Sequence, residues 1–321
     1  MADYINIFGQ KIQYLSSDPD PVQSGQVWYN STSNSLKYRG YNSSAAWATG
    51  NSMNTGRAGM GSAGNASATL GFGGYAPGSF RSLVESYDGT SWTETTNINT
   101  ARAFLGGAGT QTAALAFGGY VPVYANTELW NGSSWTEVSD LNTARYELGG
   151  AGVTNTAALA FGGYPATSST ELWNGSSWTN VNSLNTARTG VFGNGPSTSV
   201  LAFGGSSPKT ATESWNGSSW TNVSSLNTGR RDVANCIGTN NTSALCAGGD
   251  APPYIANVEQ YNGSSWAETT DLSRSTGRAL QGAGGTTSAA VIFGGVGPSY
   301  SNLTEEWTGA GAPQVRTITT D

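Results

Sequence analysis

The sequence Trp-Asn-Gly-Ser-Ser-Trp stands at Trp130–Trp135, at Trp173–Trp178 and again at Trp215–Trp220, with variants at Tyr87–Trp92 and Tyr261–Trp266. A chain that returns to the same six residues at such regular intervals is built by copying one structural unit. Aligned on the tryptophan that closes each turn (Trp47, Trp92, Trp135, Trp178, Trp220 and Trp266), the repeats are 42 to 46 residues long. A period of this length, rich in glycine and aromatic residues, predicts small sheets arranged side by side around an axis.

The remaining landmarks keep step. Ten residues after each tryptophan comes an arginine: Arg57, Arg102, Arg145, Arg188 and Arg230, with a two-residue insertion moving the last to Arg278. A Gly/Ala segment follows, then an apolar run ending in Gly-Gly, then a variable stretch. After that stretch a glutamate precedes an aromatic by two positions: Glu85, Glu128, Glu171, Glu213, Glu259 and Glu305. Four short strands per repeat fit this order: a small-residue strand a, an apolar strand b, strand c with the Glu-x-aromatic, and strand d opening at the tryptophan. Period two puts each glutamate and its ring on one face of strand c. The Asn-Gly between c and d predicts a tight hairpin whose two central residues accept positive φ. The continuous apolar strand b predicts cover on both faces. The expected fold is an all-β propeller of four-stranded blades.

At this point the chain resembles the kelch repeat over residues 47–308, with Ala247 departing from the Phe found before Gly-Gly in the sister copies. Six blades, with Trp47 closing the ring as strand d beside Trp307, and seven, the first built from the N-terminal segment, are both compatible with the sequence, and seven is favoured. Gly25–Asn30 and Ser35–Arg39 read as an extra hairpin, and Gln314–Thr319 alternates like a closing strand. The expected division is an N-terminal extension over 1–24, then the propeller over 25–321. Within the propeller, 25–46 and 309–321 contribute to closing the ring.

Composition narrows the chemistry. The chain has no histidine, which removes the commonest metal ligand and general base, so no metal, cofactor or His-containing triad is expected. The copper chemistry of some kelch-type propellers needs imidazole ligands. Two cysteines make a zinc site equally unexpected. The net charge is −6 with only 14 basic residues, which argues against nucleic acid. No apolar run is long enough to span a bilayer. Cys236 and Cys246 stand where sister repeats have alanine, and they read as small buried residues or as a cross-strand disulfide. The Arg and Glu series, six of each, and the six tryptophans read as structural, with Arg–Glu pairs buried within or between blades. Ser86–Trp92 resembles a sialidase turn but lacks the spacer between Asp88 and Gly89, so no enzyme is expected.

Strand order puts the b–c loops and d–a connections at one end of a propeller. The loops Tyr75–Phe80, Tyr120–Ala125, Tyr164–Ser168, Ser206–Thr210, Asp250–Ile255 and Val296–Ser301 differ in every repeat and are rich in Tyr and Pro. Such residues supply rigid contact area at low entropic cost. Tyr75, Tyr120, Tyr124, Tyr164, Tyr254 and, beside Ser299, Tyr300 are the candidate ligand-binding residues. Drift in unconstrained loops accounts for the variability equally well.

The segment from Asp18 to Tyr38 resembles a short module of bacteriophage tail, fibre and other virion proteins. The resemblance implies a non-catalytic virion protein, released by host lysis, that binds a host-surface glycan or a protein partner. It also implies contact with other virion proteins and an oligomeric state in the particle. A purely structural scaffold is the alternative expectation, and a polysaccharide-degrading tail enzyme the third.

Overall fold

A computed structural model describes residues 12–19, 26–41, 44–206, 209–233, 237–252, 254–273, 281–297, 299–310 and 313–318. Its regular structure is strand throughout, and no described helix is long and apolar enough to cross a membrane. The chain divides into two compact units, Ala46–Trp307 and Met1–Ala45 with Thr308–Asp321.

Among the described residues of the larger unit six sheets follow the repeats, one each, and a two-stranded hairpin, Tyr75–Ala76 with Ser79–Phe80, stands in the first b–c loop. Sheet I runs Gly61–Asn65, Ala68–Phe72, Val84–Tyr87 and Trp92–Thr95; sheet II runs Gly106–Thr110, Ala113–Phe117, Thr127–Trp130 and Trp135–Val138. Sheet III comprises Gly149–Thr154, Ala157–Phe161, Thr170–Trp173 and Trp178–Val181, and sheet IV Phe192–Asn194, Val200–Phe203, Thr212–Trp215 and Trp220–Asn222. Sheet V comprises, among the described residues, Ala244–Ala247, Val258–Tyr261 and Trp266–Glu268. Sheet VI takes Gln281–Thr286, Ala289–Phe293 and Thr304–Thr308 from the end of the unit, and its outermost strand, Ala46–Gly50, from the beginning. In sheets I to IV the strands neighbour one another in chain order a-b-c-d and pair antiparallel.

Burial explains the residue types. Strand b is buried along nearly its whole length (Leu115, Ala116 and Phe117 are fully enclosed) because a neighbouring sheet covers each face. Strand a is Gly/Ala-rich because adjacent innermost strands almost touch: a Cβ on Gly107 would lie 2.3 Å from the Ser62 carbonyl oxygen of sheet I. No side chain fits there.

Aromatic contacts link the sheets in order. The strand-b phenylalanine of one sheet packs on the strand-d tryptophan of the next: Phe72 on Trp135, Phe117 on Trp178, Phe161 on Trp220 and Phe203 on Trp266, with ring centroids 4.9 to 5.3 Å apart. Phe293 of sheet VI meets Trp92 of sheet I at 4.7 Å. Indole hydrogen bonds follow the same order. Trp178, Trp220, Trp266 and Trp92 donate to Thr127, Thr170, Thr212 and Thr304, each on strand c of the preceding sheet. In sheets I and V that threonine is Val84 or Val258, and the indoles of Trp135 and Trp47 turn instead to the carbonyls of Thr96 and Thr270. The departure at Ala247 has a local consequence. Trp47 has no phenylalanine beneath it, rests on Trp307 of its own sheet at 5.1 Å, and stays half-exposed.

The c–d connection differs from the two-residue turn expected. It is a four-residue loop, Asn131–Ser134 in sheet II, in which Gly132 alone takes positive φ (95°). The Asn131 Oδ1 accepts the backbone N–H groups of Ser133 and Ser134, both at 2.9 Å, so the side chain closes the turn.

The smaller unit is a sheet of its own, ordered Gln13–Leu15, Val27–Asn30, Ser35–Tyr41 and Pro313–Thr317, with the first pair parallel. Here the structure departs from the sequence expectation. The N-terminal hairpin and the C-terminal strand pair with each other; Ala46–Gly50 stands as strand d of the last sheet, with Trp47 beside Trp307, as the six-blade reading expects. The unit boundary falls at 45/46 and not at 24/25. Asp18 ties the small sheet together, accepting from the Trp28 indole (3.0 Å) and the Asn30 amide (2.7 Å) and pairing with Lys37 (3.0 Å). Those contacts, led by Asn30 and then Lys37, hold its carboxyl below the usual Asp value.

Candidate functional site

Five of the repeated arginines pair with glutamates inside the larger unit. Arg57, Arg102, Arg145, Arg188 and Arg230 are fully buried and pair with Glu85, Glu128, Glu171, Glu213 and Glu259 of their own sheets; Arg145–Glu171 and Arg188–Glu213 are 3.1 and 3.2 Å apart. Burial lowers the pKa of Arg57, Arg145 and Arg188, against the opposing pull of the partner carboxylates. Each glutamate spends its second oxygen on the linker before the arginine, accepting the N–H of Asn54, Asn99, Asn142, Asn185 or Asn227 at 2.6 to 2.8 Å. The same asparagine donates to the carbonyl of the strand-d tryptophan, as Asn142 does to Trp178 at 3.2 Å. Glu305 accepts from Ser273, and its expected partner Arg278 lies outside the described residues. Trp92, Trp135, Trp178, Trp220 and Trp266 are buried.

Cys246 is a free, fully buried thiol whose pKa burial pushes up to about 11. Cys236 lies outside the described residues. Among the described residues, no group of three His, Cys, Asp or Glu side chains could hold a metal ion.

The linker arginines also pin the variable loops. Backbone N–H groups of Arg102, Arg145, Arg188 and Arg230 donate to the carbonyls of Arg81, Tyr124, Thr167 and Lys209, and that of Arg57 to Ser301. Each loop base is thereby held by the connection entering the following sheet. The residue after each arginine then pairs with the first residue after a Gly-Gly: Ala58 with Tyr75, Ala103 with Tyr120, Tyr146 with Tyr164, and Arg231 with Asp250. Thr189 and Ser206 meet at the same place. One pair of positions per sheet therefore carries the sequence variation of this face.

Those pairs divide the face by chemistry. On sheets I to III their tyrosines, with Phe80 and with Tyr300 of the sheet VI loop, build a row of rings: Tyr300–Tyr75 (5.5 Å), Tyr75–Phe80 (5.0 Å), Phe80–Tyr120 (5.8 Å), Tyr120–Tyr146 (4.7 Å) and Tyr146–Tyr164 (4.9 Å). Tyr164 is 49% exposed and Tyr120 36%. Burial raises the pKa of Tyr146, with Glu147 adding to the effect. On sheets IV and V the same positions are polar, ending in the Arg231–Asp250 ion pair at 3.1 Å.

The next position inward is Gly59, Phe104, Glu147, Gly190 and Asp232, every one in the left-handed region with φ between 51° and 62°. Their backbones form a chain from sheet to sheet: Phe104 N–H donates to the Gly59 carbonyl, Glu147 to Phe104, and Gly190 to Glu147, at 2.6 to 2.9 Å. Three non-glycine residues in this conformation mark a place where side chains are kept despite backbone strain. They point to a cavity of about 130 Å³ lined by Ala58, Tyr75, Phe104, Glu147, Arg231, Asp232, Val296 and Tyr300. A larger space of about 390 Å³ at the a–b turns is lined by Gly, Ala, Ser, Thr, Asn and Val, and offers no titratable group.

Of the tyrosines singled out from sequence, the structure brings together Tyr75, Tyr120, Tyr164 and Tyr300. Tyr124 and Tyr254 are half-buried within their own loops. Sequence reasoning missed Phe80, Phe104, Tyr146, Glu147, Arg231 and Asp232. Five of these occupy the two positions after the arginine, and the signal was there: those two positions vary between copies whose flanks are fixed.

No protein-family model matches the chain, and no curated protein matches it in sequence.

Proposed function

We propose that the chain is a non-catalytic, virion-associated binding protein, and that its larger unit is a closed six-bladed kelch-like propeller presenting the b–c loop face to a host-surface glycan. The cyclic succession of indole bonds and Phe–Trp contacts, ending with Phe293 on Trp92, supports the closed ring. The row of rings from Tyr300 to Tyr164 carries the functional reading. Adjacent, part-exposed aromatic faces on pinned loops are a preorganised surface for stacking saccharide rings. In the smaller unit Tyr14 is 75% exposed and Ile12 52%, which suits attachment to other virion proteins.

The test is binding to a glycan array and to host cells before and after Tyr120→Ala and Tyr164→Ala. Loss of binding with unchanged melting temperature supports the reading; unaltered binding refutes it. Mass spectrometry of purified particles checks the virion assignment.

One observation favours a second reading. Glu147 and Asp232 line the same cavity beside aromatic rings, and glycoside hydrolysis uses two carboxylates. Release of new reducing ends from capsular polysaccharide, abolished by Glu147→Gln, would establish it.

A further inference from the structure

The left-handed positions 59, 104, 147, 190 and 232 are equivalent in their repeats, each standing two residues after its arginine. Glycine fills two of them, Gly59 and Gly190, and adopts that conformation freely. A phenylalanine does not, because its Cβ crowds the carbonyl oxygen that follows. Phe104 nonetheless holds φ at 55°. The neighbouring copy makes room for it: a Cβ on Gly59 would lie 2.8 Å from Phe104 Cε1 and 2.9 Å from Cδ1. The repeat can therefore carry glycine here, as it does at 59 and 190. On sheet II it carries a ring that needs a glycine beside it.

That ring is half-buried and lines the cavity of about 130 Å³ together with Tyr75 and Tyr300, the two rings that begin the aromatic row. Its centroid is 6.5 Å from that of Tyr146, farther along the same row. Row and cavity share Tyr75 and Tyr300, and Phe104 extends the aromatic surface from one into the other. The cavity has room for on the order of ten water-sized groups, the size of one pyranose.

Resting on the proposed glycan-binding reading, we infer that Phe104 is a ligand-contacting residue, the ring on which one sugar stacks in the cavity while the neighbouring sugars lie along the row. The C–H face of a pyranose is slightly positive and matches the negative face of an aromatic ring. The strained backbone at 104 is the counterpart of that role. A side chain kept at a conformational cost where glycine would serve is kept for a contact outside the fold.

The experiment titrates soluble hexasaccharides (cellohexaose, maltohexaose, chitohexaose and an alginate hexamer) into the full chain by calorimetry, with melting temperature as the folding control. Phe104→Gly is expected to weaken the tightest binder about tenfold. Phe104→Tyr should stay within about threefold of the unaltered chain. Phe104→Leu fills the space against Gly59 without an aromatic face, so it should melt like Phe104→Tyr and bind like Phe104→Gly. Unchanged affinity in Phe104→Gly, or Phe104→Leu binding as well as Phe104→Tyr, overturns the inference and makes Phe104 a packing residue. If Tyr120→Ala and Tyr164→Ala still weaken binding in that case, the reading of the row stands by itself. Failure of every hexasaccharide to bind overturns both.

Discussion

The five buried Arg–Glu pairs of the larger unit are best judged by what each partner would do alone. A guanidinium with no exposure cannot recover water when its carboxylate is removed, so the cost is that of an isolated buried charge. Glu171→Gln is expected to cost about 3–5 kcal/mol in chemical unfolding, and Arg145→Met a similar amount. Together they should cost less than the sum, which a double-mutant cycle would measure. The tryptophan–threonine bonds should behave differently, because the molecule already contains their replacement. Where Val84 and Val258 stand in for threonine, the indole turns to a carbonyl. Thr170→Val is therefore expected to cost under about 1 kcal/mol. A loss several times larger would show that the Trp220 indole finds no second acceptor. Cys246, with its thiol raised to about 11 and no exposure, should resist alkylation at neutral pH until the chain unfolds. Peptide mapping along a denaturant series would show its labelling coincide with global unfolding.

At the scale of elements, the repeat pattern made strands b, c and d legible because their side chains repeat with their environment. Strand b must be apolar on both faces, and the Glu-x-aromatic must alternate. The c–d turn was misread because Asn-Gly has two uses, a left-handed pair or a side-chain-closed loop, and the following Ser-Ser supplies the donors for the second. The N-terminal hairpin was legible as a hairpin but not as part of a separate sheet. Its partners, Gln13–Leu15 and Pro313–Thr317, are distant in sequence, and no repeat announces them. That small sheet also carries an acid sensitivity. Asp18 has a folded pKa below its unfolded value, so its stabilising effect is present above the unfolded pKa, near 4. The effect fades as pH falls through the lower folded value. Hydrogen exchange at the Trp28 indole should therefore speed up below about pH 4 and be fast at all pH values in Asp18→Ala.

For the larger unit as a whole, the first strand, Ala46–Gly50, completes the last sheet. A chain beginning at residue 51 would leave Trp307 and the Thr270 carbonyl without Trp47. It is expected to melt several degrees lower, whereas Ala46–Trp307 alone should fold. Calorimetry of the two lengths checks this, and equal melting temperatures would remove the closing role. The candidate site was only half legible for a related reason. Tyrosines in variable loops stand out in a sequence, but the ladder they form depends on Tyr146 and Phe80, and the cavity depends on a backbone conformation at Glu147 and Asp232 that no residue-type rule for glycine would have suggested.

The pinning of each variable loop at its base has a practical consequence. Since the carbonyls of Tyr124 and Thr167, in the loops Tyr120–Ala125 and Tyr164–Ser168, are held by equivalent N–H groups, those of Arg145 and Arg188, the two segments should exchange as inserts on a common socket. Loop swaps between sockets should therefore fold, leaving the glycine-lined strands untouched.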